Sequence, residues 1–394
     1  MLRRLKNTVL VLLLTALSLE LCGWAFLSVQ FKKSPLKFSF RIENILSELD
    51  FNRLKPFFSC QGWICYHKEL GWWQPPNTSG DVGNGPITTD SFASRVSPFK
   101  RDKLFVATYG DSFTQGIEVN DKETYQYFLS KIIRAKVENY GIFSFGPDQA
   151  LLYLMKNLKR GDRPSVVVLG LISESPNRLM NALRLFYTYP KSDISFGFKP
   201  ILIKERDSWD FHRFAPNIPY TKSDLNNAIQ QASSVDSFYR LRTEQLEFPY
   251  SLNTVRYLGN NGLKGFYPWP GNTPEANERL DFIVAKFLEL SRAYSFAPVV
   301  LLWPMSEEQL NEGKPPHKLT PSMINSKRLL VVDIASEFRQ MAKKFSEVYI
   351  KKTHPTKEGN RLISELLLHS LCRDKRFQQP EFQVQRALIC KRIR

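Results

Sequence analysis

The chain has 394 residues, 43% of them hydrophobic and 24% charged, a profile that allows a sizeable core and excludes a disordered polymer. Its formal net charge of +17 sits largely at the ends: residues 1–40 carry six basic side chains against Glu20, and residues 373–394 carry seven against Asp374 and Glu381. No zinc-finger, RNP-like or basic-zipper pattern accompanies that charge, so nucleic acid is not an expected partner, whereas basic flanks beside an apolar segment suit an anionic membrane surface.

Thr8 to Val29 reads TVLVLLLTALSLELCGWAFLSV, with Glu20 as its one ionisable residue. That is close to the ~20 apolar residues needed to cross a bilayer. A cleaved signal peptide shares the basic start and apolar run, but this run is longer than a usual signal core and no small-x-small site follows it cleanly. The expectation is an uncleaved anchor over residues 1–30. Lys and Arg counts do not orient it, because three basic residues flank each side.

Residues 31–95 form a juxtamembrane region rich in aromatic residues, Pro and Gly, including LGWWQPPNTSGDVGNGP. It contains Cys60 and Cys65; Cys372 and Cys390 lie at the far end of the chain. Two local pairs suit two disulfides in an oxidising compartment, and four unpaired thiols are the alternative. No second ligand pair follows Cys60 and Cys65, so no metal is expected.

The main domain is placed over residues 96–372, and from about residue 101 the pattern changes. Leu104–Thr108 is a short apolar run stopped by Gly110, and residues 121–134 place Tyr125, Phe128, Leu129, Ile132 and Ile133 on one helical face. A strand near Val137, a helix over 147–158 and a strand over Ser165–Gly170 follow. Residues 176–272 break the rhythm and read as an insertion over the sheet's carboxyl edge. A helix over 274–294, a strand over Val299–Trp303, a strand over Leu329–Asp333 and a helix over 357–371 complete the body. Strands alternating with helices predict an α/β fold, a three-layer, mostly parallel doubly wound sheet. Residues 373–394 read as a basic C-terminal tail.

Two segments carry candidate chemistry. Gly110-Asp111-Ser112-Phe113-Thr114 puts a serine on a turn directly after a buried strand, where its hydroxyl is held outward and backbone N–H groups can face an oxyanion. Turn and cap chemistry would use the same residues. His354, in Thr353-His354-Pro355-Thr356-Lys357-Glu358-Gly359-Asn360, is the one histidine of five placed in a loop between a sheet-like segment and the terminal helix. There it can reach the same sheet edge and act as a general base.

Taken together, GDSFT and HPTKEGNRL resemble the first and last blocks of the SGNH/GDSL hydrolase family. Asn139-Tyr140-Gly141 resembles the opening of its second block. The runs Phe145–Leu151, Gly170–Arg178, Leu70-Gly71-Trp72 and Pro76-Asn77 are similar to a membrane-anchored bacterial subgroup. The resemblance spans roughly residues 1–372 and implies ester chemistry without a cofactor: Ser112 as nucleophile, His354 as base, and an oxyanion hole from the Ser112 N–H, a second-block N–H and a third-block amide. It also implies a single-pass protein of the bacterial inner membrane, its main domain in the periplasm or outside, acting as an esterase or O-acyltransferase on acylated envelope glycans or other esters.

Three positions depart from the family pattern. Ser144 stands where the family has glycine. Ser175 stands at the third-block amide, with Glu174 beside it and Asn177 two residues on. Lys351 replaces the carboxylate three residues before the histidine. Asp111, Glu174 and Asp333 are the accessory candidates, Asp333 as a substitute acid. These changes leave open a second reading: a catalytically degenerate SGNH domain that binds a glycan or a protein. The oligomeric state is not legible in the residues.

Overall fold

The structure is a computed structural model describing residues 2–33, 38, 52, 55–81, 85–101, 105–188, 197–206, 208–212, 221–241, 244–261, 270–307, 309, 319–341, 344–350, 354–375, 382–383 and 389–390. Lys351 and Lys352 lie outside them.

The first element is α1 (Leu2–Lys33), a single helix long and apolar enough to cross a membrane, with Leu10 to Leu14, Leu17 and Leu21 all exposed. The body is built on five strands: β1 (Phe105–Gly110), β2 (Lys136–Gly141), β3 (Val166–Ile172), β4 (Ala297–Trp303) and β5 (Leu330–Asp333). They pair in the order β5-β4-β3-β1-β2, every neighbour parallel. All seven residues of β3 and of β4 are buried, which explains why they read as unbroken apolar runs rather than as alternation.

Among the helices are α2 (Ser112–Gln115), α3 (Tyr125–Ile133), α4 (Pro147–Lys159), α5 (Ser175–Leu179), α6 (Lys222–Ser233), α7 (Tyr250–Asn261), α8 (Pro274–Tyr294) and α9 (Lys357–Arg373). Tyr125 and Leu129 of α3 share a core with Ile363 and Leu367 of α9 on one face of the sheet. Leu151 and Leu158 of α4 meet Ile283 and Phe287 of α8 on the other. The expected α/β class and doubly wound three-layer sheet are borne out. Chain order reverses between β1 and β3, so the crevice beyond their carboxyl ends is where such folds bind ligands.

The stretch upstream of residue 96 contributes to this body. Leu70 and Trp72 are buried in the core, Trp72 Nε1 donates to Phe143 O at 3.0 Å, and Gln149 Nε2 donates to Leu70 O at 2.6 Å. Both cysteine pairs are joined, Cys60 to Cys65 and Cys372 to Cys390. The second bridge folds the basic C-terminal segment back, and Phe382 and Ile389 are buried in the core.

Within the insertion, Ile201–Glu205 and Ser208–His212 form an antiparallel hairpin. Leu225 and Ile229 of α6 pack with Met180, Leu183, Phe186 and Phe238 in a satellite core. Asp236 ties that core to the segment after β3, its carboxylate accepting from the N–H groups of Ala182, Leu183, Phe238 and Tyr239 and from Asn181 Nδ2. The insertion is not wholly a cover for the sheet edge, because α7 packs along α1.

Candidate active site

Ser112 opens α2 immediately after β1 and is 8% exposed. Asp111 caps that helix, accepting from the Phe113 N–H at 2.9 Å. Its other oxygen pairs with Arg178 Nη1 at 2.9 Å. Burial pushes the Asp111 carboxyl up, and the Arg178 charge opposes that shift. Arg178 also donates to Phe145 O at 2.8 Å and to Glu174 at 3.3 Å, so one buried guanidinium joins the segments after β1, β2 and β3. Asp111 and Glu174 therefore act as partners of Arg178 that hold the three loops together.

His354 pairs with Ile350 in a short antiparallel strand contact just before the start of α9. Thr356 caps α9 through the Gly359 N–H at 3.0 Å, and Asn360 Oδ1 accepts from the Tyr125 N–H at 3.2 Å. A Cβ at Gly359 would lie 2.2 Å from Val348 O, so only glycine permits this close approach. The HPTKEGN run is thus a cap, a close contact and an interhelix tether that together fix the histidine.

The two chemical candidates meet. His354 Nε2 lies 2.8 Å from Ser112 Oγ, although 242 positions separate them. The other ring nitrogen, Nδ1, lies 3.0 Å from Glu118 Oε1. The imidazole rests against Phe113, ring centroids 4.7 Å apart. Glu118 comes from the loop after α2 and places a carboxylate against the imidazole. Asp333 does not fill that place: its carboxylate caps the helix Ile334–Gln340 on the Ala335 N–H.

Sequence reasoning missed Glu118 because it sought an acid near the histidine. The available signal was its nearness to the nucleophile, six positions on and just past Gly116. Arg95 was missed too. Buried at 3% exposure, it donates from Nη1 to Gln115 O and Gly116 O, each at 2.7 Å, from Nη2 to Val119 O at 2.6 Å and Pro86 O at 3.1 Å, and from Nε to Asp121 at 2.7 Å. It clamps the loop on both sides of Glu118.

Ser144 has φ +61°, the left-handed conformation that favours glycine. The family's glycine position keeps its backbone shape here with a serine in it. Neither the Ser112 N–H nor the Ser144 N–H donates to another group among the described residues. Of the third-block candidates, Ser175 Oγ accepts from the Ile172 N–H at 3.0 Å and Asn177 Oδ1 accepts from the Gly271 N–H at 2.9 Å, contacts that use acceptor lone pairs and not the donor groups.

No family model and no curated protein matches the sequence. Solved structures do match. One is described as a lipolytic protein of the G-D-S-L family from Desulfitobacterium hafniense DCB-2, at 14% identity and TM-score 0.33, covering 68% of this chain and 99% of that one. Another is a two-domain esterase active on acetylated mannans, co-crystallised with mannopentaose, at 13% identity and TM-score 0.36. That match covers 70% of this chain and 50% of the esterase, so the chain spans half its length. A third is a member of the lipolytic G-D-S-L family from Veillonella parvula DSM 2008, at 14% identity and TM-score 0.27, covering 69% of this chain and 100% of that one.

Proposed function

We propose that the chain is a membrane-anchored serine ester hydrolase or O-acyltransferase working through a Ser112–His354–Glu118 relay. The observation that carries this reading is the unbroken line of two contacts, 2.8 Å from hydroxyl to imidazole and 3.0 Å from imidazole to carboxylate. Each contact lies within the reach a catalytic hydrogen bond requires.

In this mechanism Ser112 Oγ attacks the carbonyl carbon of an ester while His354 Nε2 takes its proton. Glu118 accepts the hydrogen bond from Nδ1–H, holds that tautomer and stabilises the imidazolium. The tetrahedral oxyanion faces the Ser112 and Ser144 N–H groups; one such donor is worth roughly 10²–10³ in rate. Collapse expels the alcohol, which takes the proton back from Nε2. The acyl-serine then passes its acyl group to water, or to a second hydroxyl in a transferase.

Acylated envelope carbohydrate is the substrate class we favour. Half-buried Trp63 and Phe143, ring centroids 6.0 Å apart, form an aromatic pair next to Ser144, and such faces suit the apolar side of a sugar ring. An extracytoplasmic placement fits the two disulfides.

The test is labelling with a fluorophosphonate probe, alongside acetate release from acetylated oligosaccharides. Folded native protein should label and Ser112→Ala should not. A folded native protein that stays unlabelled would instead make this a binding module that retains the fold.

A further inference from the structure

The anchor helix carries one acid where a membrane span should have none. Glu20 lies nine residues before Val29, or about 13 Å below the end of the apolar run at 1.5 Å per residue. Its carboxylate accepts from the Tyr250 N–H at 2.6 Å, from the Ser251 N–H at 3.3 Å and from the Ser251 hydroxyl. Those two N–H groups are the first of α7, donors that no turn of the helix itself can satisfy.

The rest of α7 follows α1 in the same direction. A Cβ at Gly23 would lie 2.8 Å from the Ser251 nitrogen, so the absent side chain admits the second helix. Phe26 meets Tyr257 edge-on with centroids 5.7 Å apart, and Tyr257 OH donates to Gln30 Oε1 at 3.2 Å. Just before α7, Glu244 pairs with Phe38, beyond the end of α1. The chain therefore descends from 244 to 249 beside the anchor and climbs back as α7.

On the side of this hairpin turned away from α1, Phe248 is 72% exposed, Leu252 47% and Val255 66%. Leu252, Val255 and Gly259 recur at helical spacing along α7, and Phe248, edge-on to Tyr250, continues that exposed apolar side before the helix starts. Glu247 and Arg256, both exposed, argue against a second full crossing of the bilayer.

We propose that residues 244–261 form a re-entrant hairpin seated in the leaflet next to the catalytic domain, with Phe248, Leu252 and Val255 against lipid acyl chains and Glu20 capping the helix at depth. The proposal rests on the anchor reading above. Continuity carries it: a partner of α1 at the level of Glu20 lies within the hydrocarbon that surrounds α1. The physics is reciprocal. A carboxylate in lipid is costly unless hydrogen-bonded, and helix-start N–H groups in lipid are costly unless accepted; each removes the other's cost.

The test uses the full chain with Cys22→Ser, reconstituted in phosphatidylcholine–phosphatidylglycerol vesicles, and single cysteines probed by a water-soluble maleimide. Leu252→Cys and Val255→Cys should react roughly tenfold slower than Ile324→Cys on the water-facing surface, as expected for an apolar face sunk several ångströms into the acyl region. A fluorophore at Leu252→Cys should be quenched by nitroxide-bearing lipid tails. Adding Glu20→Ala should raise the Leu252→Cys rate toward that of Ile324→Cys, while Glu20→Gln, which keeps an acceptor oxygen, should preserve part of the protection. If Leu13→Cys in α1 is protected but the two α7 positions react like Ile324→Cys, the hairpin sits in water and the proposal is overturned while the anchor stands. If Leu13→Cys reacts freely too, the anchor reading itself fails.

Discussion

Glu118 shows how a charge can be far from its expected place in sequence and still be at the right atom. The relay needs an acceptor 3 Å from Nδ1 and is indifferent to which loop supplies it. Glu118→Gln should lower kcat by about 10²–10⁴ with little change in KM, because the carboxylate's charge matters most when the imidazolium forms. Hydrolysis of a p-nitrophenyl ester reads this directly, and an unchanged kcat would leave Ser112 and His354 working as a dyad. Ser112 and His354 were legible in the sequence because each sits in a short run with several constrained neighbours. Glu118 has none: Gly116-Ile117-Glu118 looks like any loop, and only the closure of the chain on itself gives it a role. Ser144 makes the complementary point. Its backbone is left-handed, a strain of about 1–2 kcal/mol for a residue with a Cβ. Ser144→Gly should therefore raise the unfolding free energy by about 1 kcal/mol and leave kcat near wild type, since the N–H is retained. A large loss of activity would show that the hydroxyl itself takes part.

The regular elements were readable wherever a fully buried strand or a two-faced helix imposed its own pattern. The helix expected over 274–294 runs from Pro274 to Tyr294, capped by Thr273, and the strand expected over 299–303 begins only two residues earlier. The insertion resisted for a physical reason. Its hairpin and helices are short and share a core with residues 180–186 and 276, so no single segment carries a complete apolar face. What orders it is polar. Buried Asp236 holds five donors, and burial still pushes its carboxyl up to about 6, above the ordinary 3.8. A folded-state value raised above the unfolded one means that the proton favours the native form. That contribution is complete below about pH 4 and disappears as pH climbs through about 6. Asp236→Asn turns an amide N–H₂ toward existing donors and should cost roughly 2–3 kcal/mol at neutral pH, while removing this part of the pH dependence. Urea unfolding at pH 4.5 and 7 would show it; a variant with the same pH slope as wild type would contradict the assignment.

For the molecule as a whole, the C-terminal segment returns to the body. The Cys372–Cys390 bridge closes a segment that composition marks as a basic tail, and that segment's Phe382 and Ile389 are buried in the core. Net charge alone could not reveal this, since it records how many lysines and arginines a segment has and not which of its apolar residues find a groove. Closing a loop of this length is worth about 3 kcal/mol. Cys372→Ala/Cys390→Ala should lower stability by about that amount without altering the chemistry at Ser112, measured as paired denaturation and turnover.

The guanidinium of Arg95 spends four of its five N–H donors on the loop that presents Glu118, yet it stands one residue before the point where the sequence begins to look like a catalytic domain. A recombinant fragment started at residue 96 would leave out the strap that trains the acid on the histidine, along with Leu70 and Trp72. A fragment started at residue 55 keeps all three. Comparing the turnover of the two would measure how much of the proposed activity depends on residues upstream of the recognisable motifs.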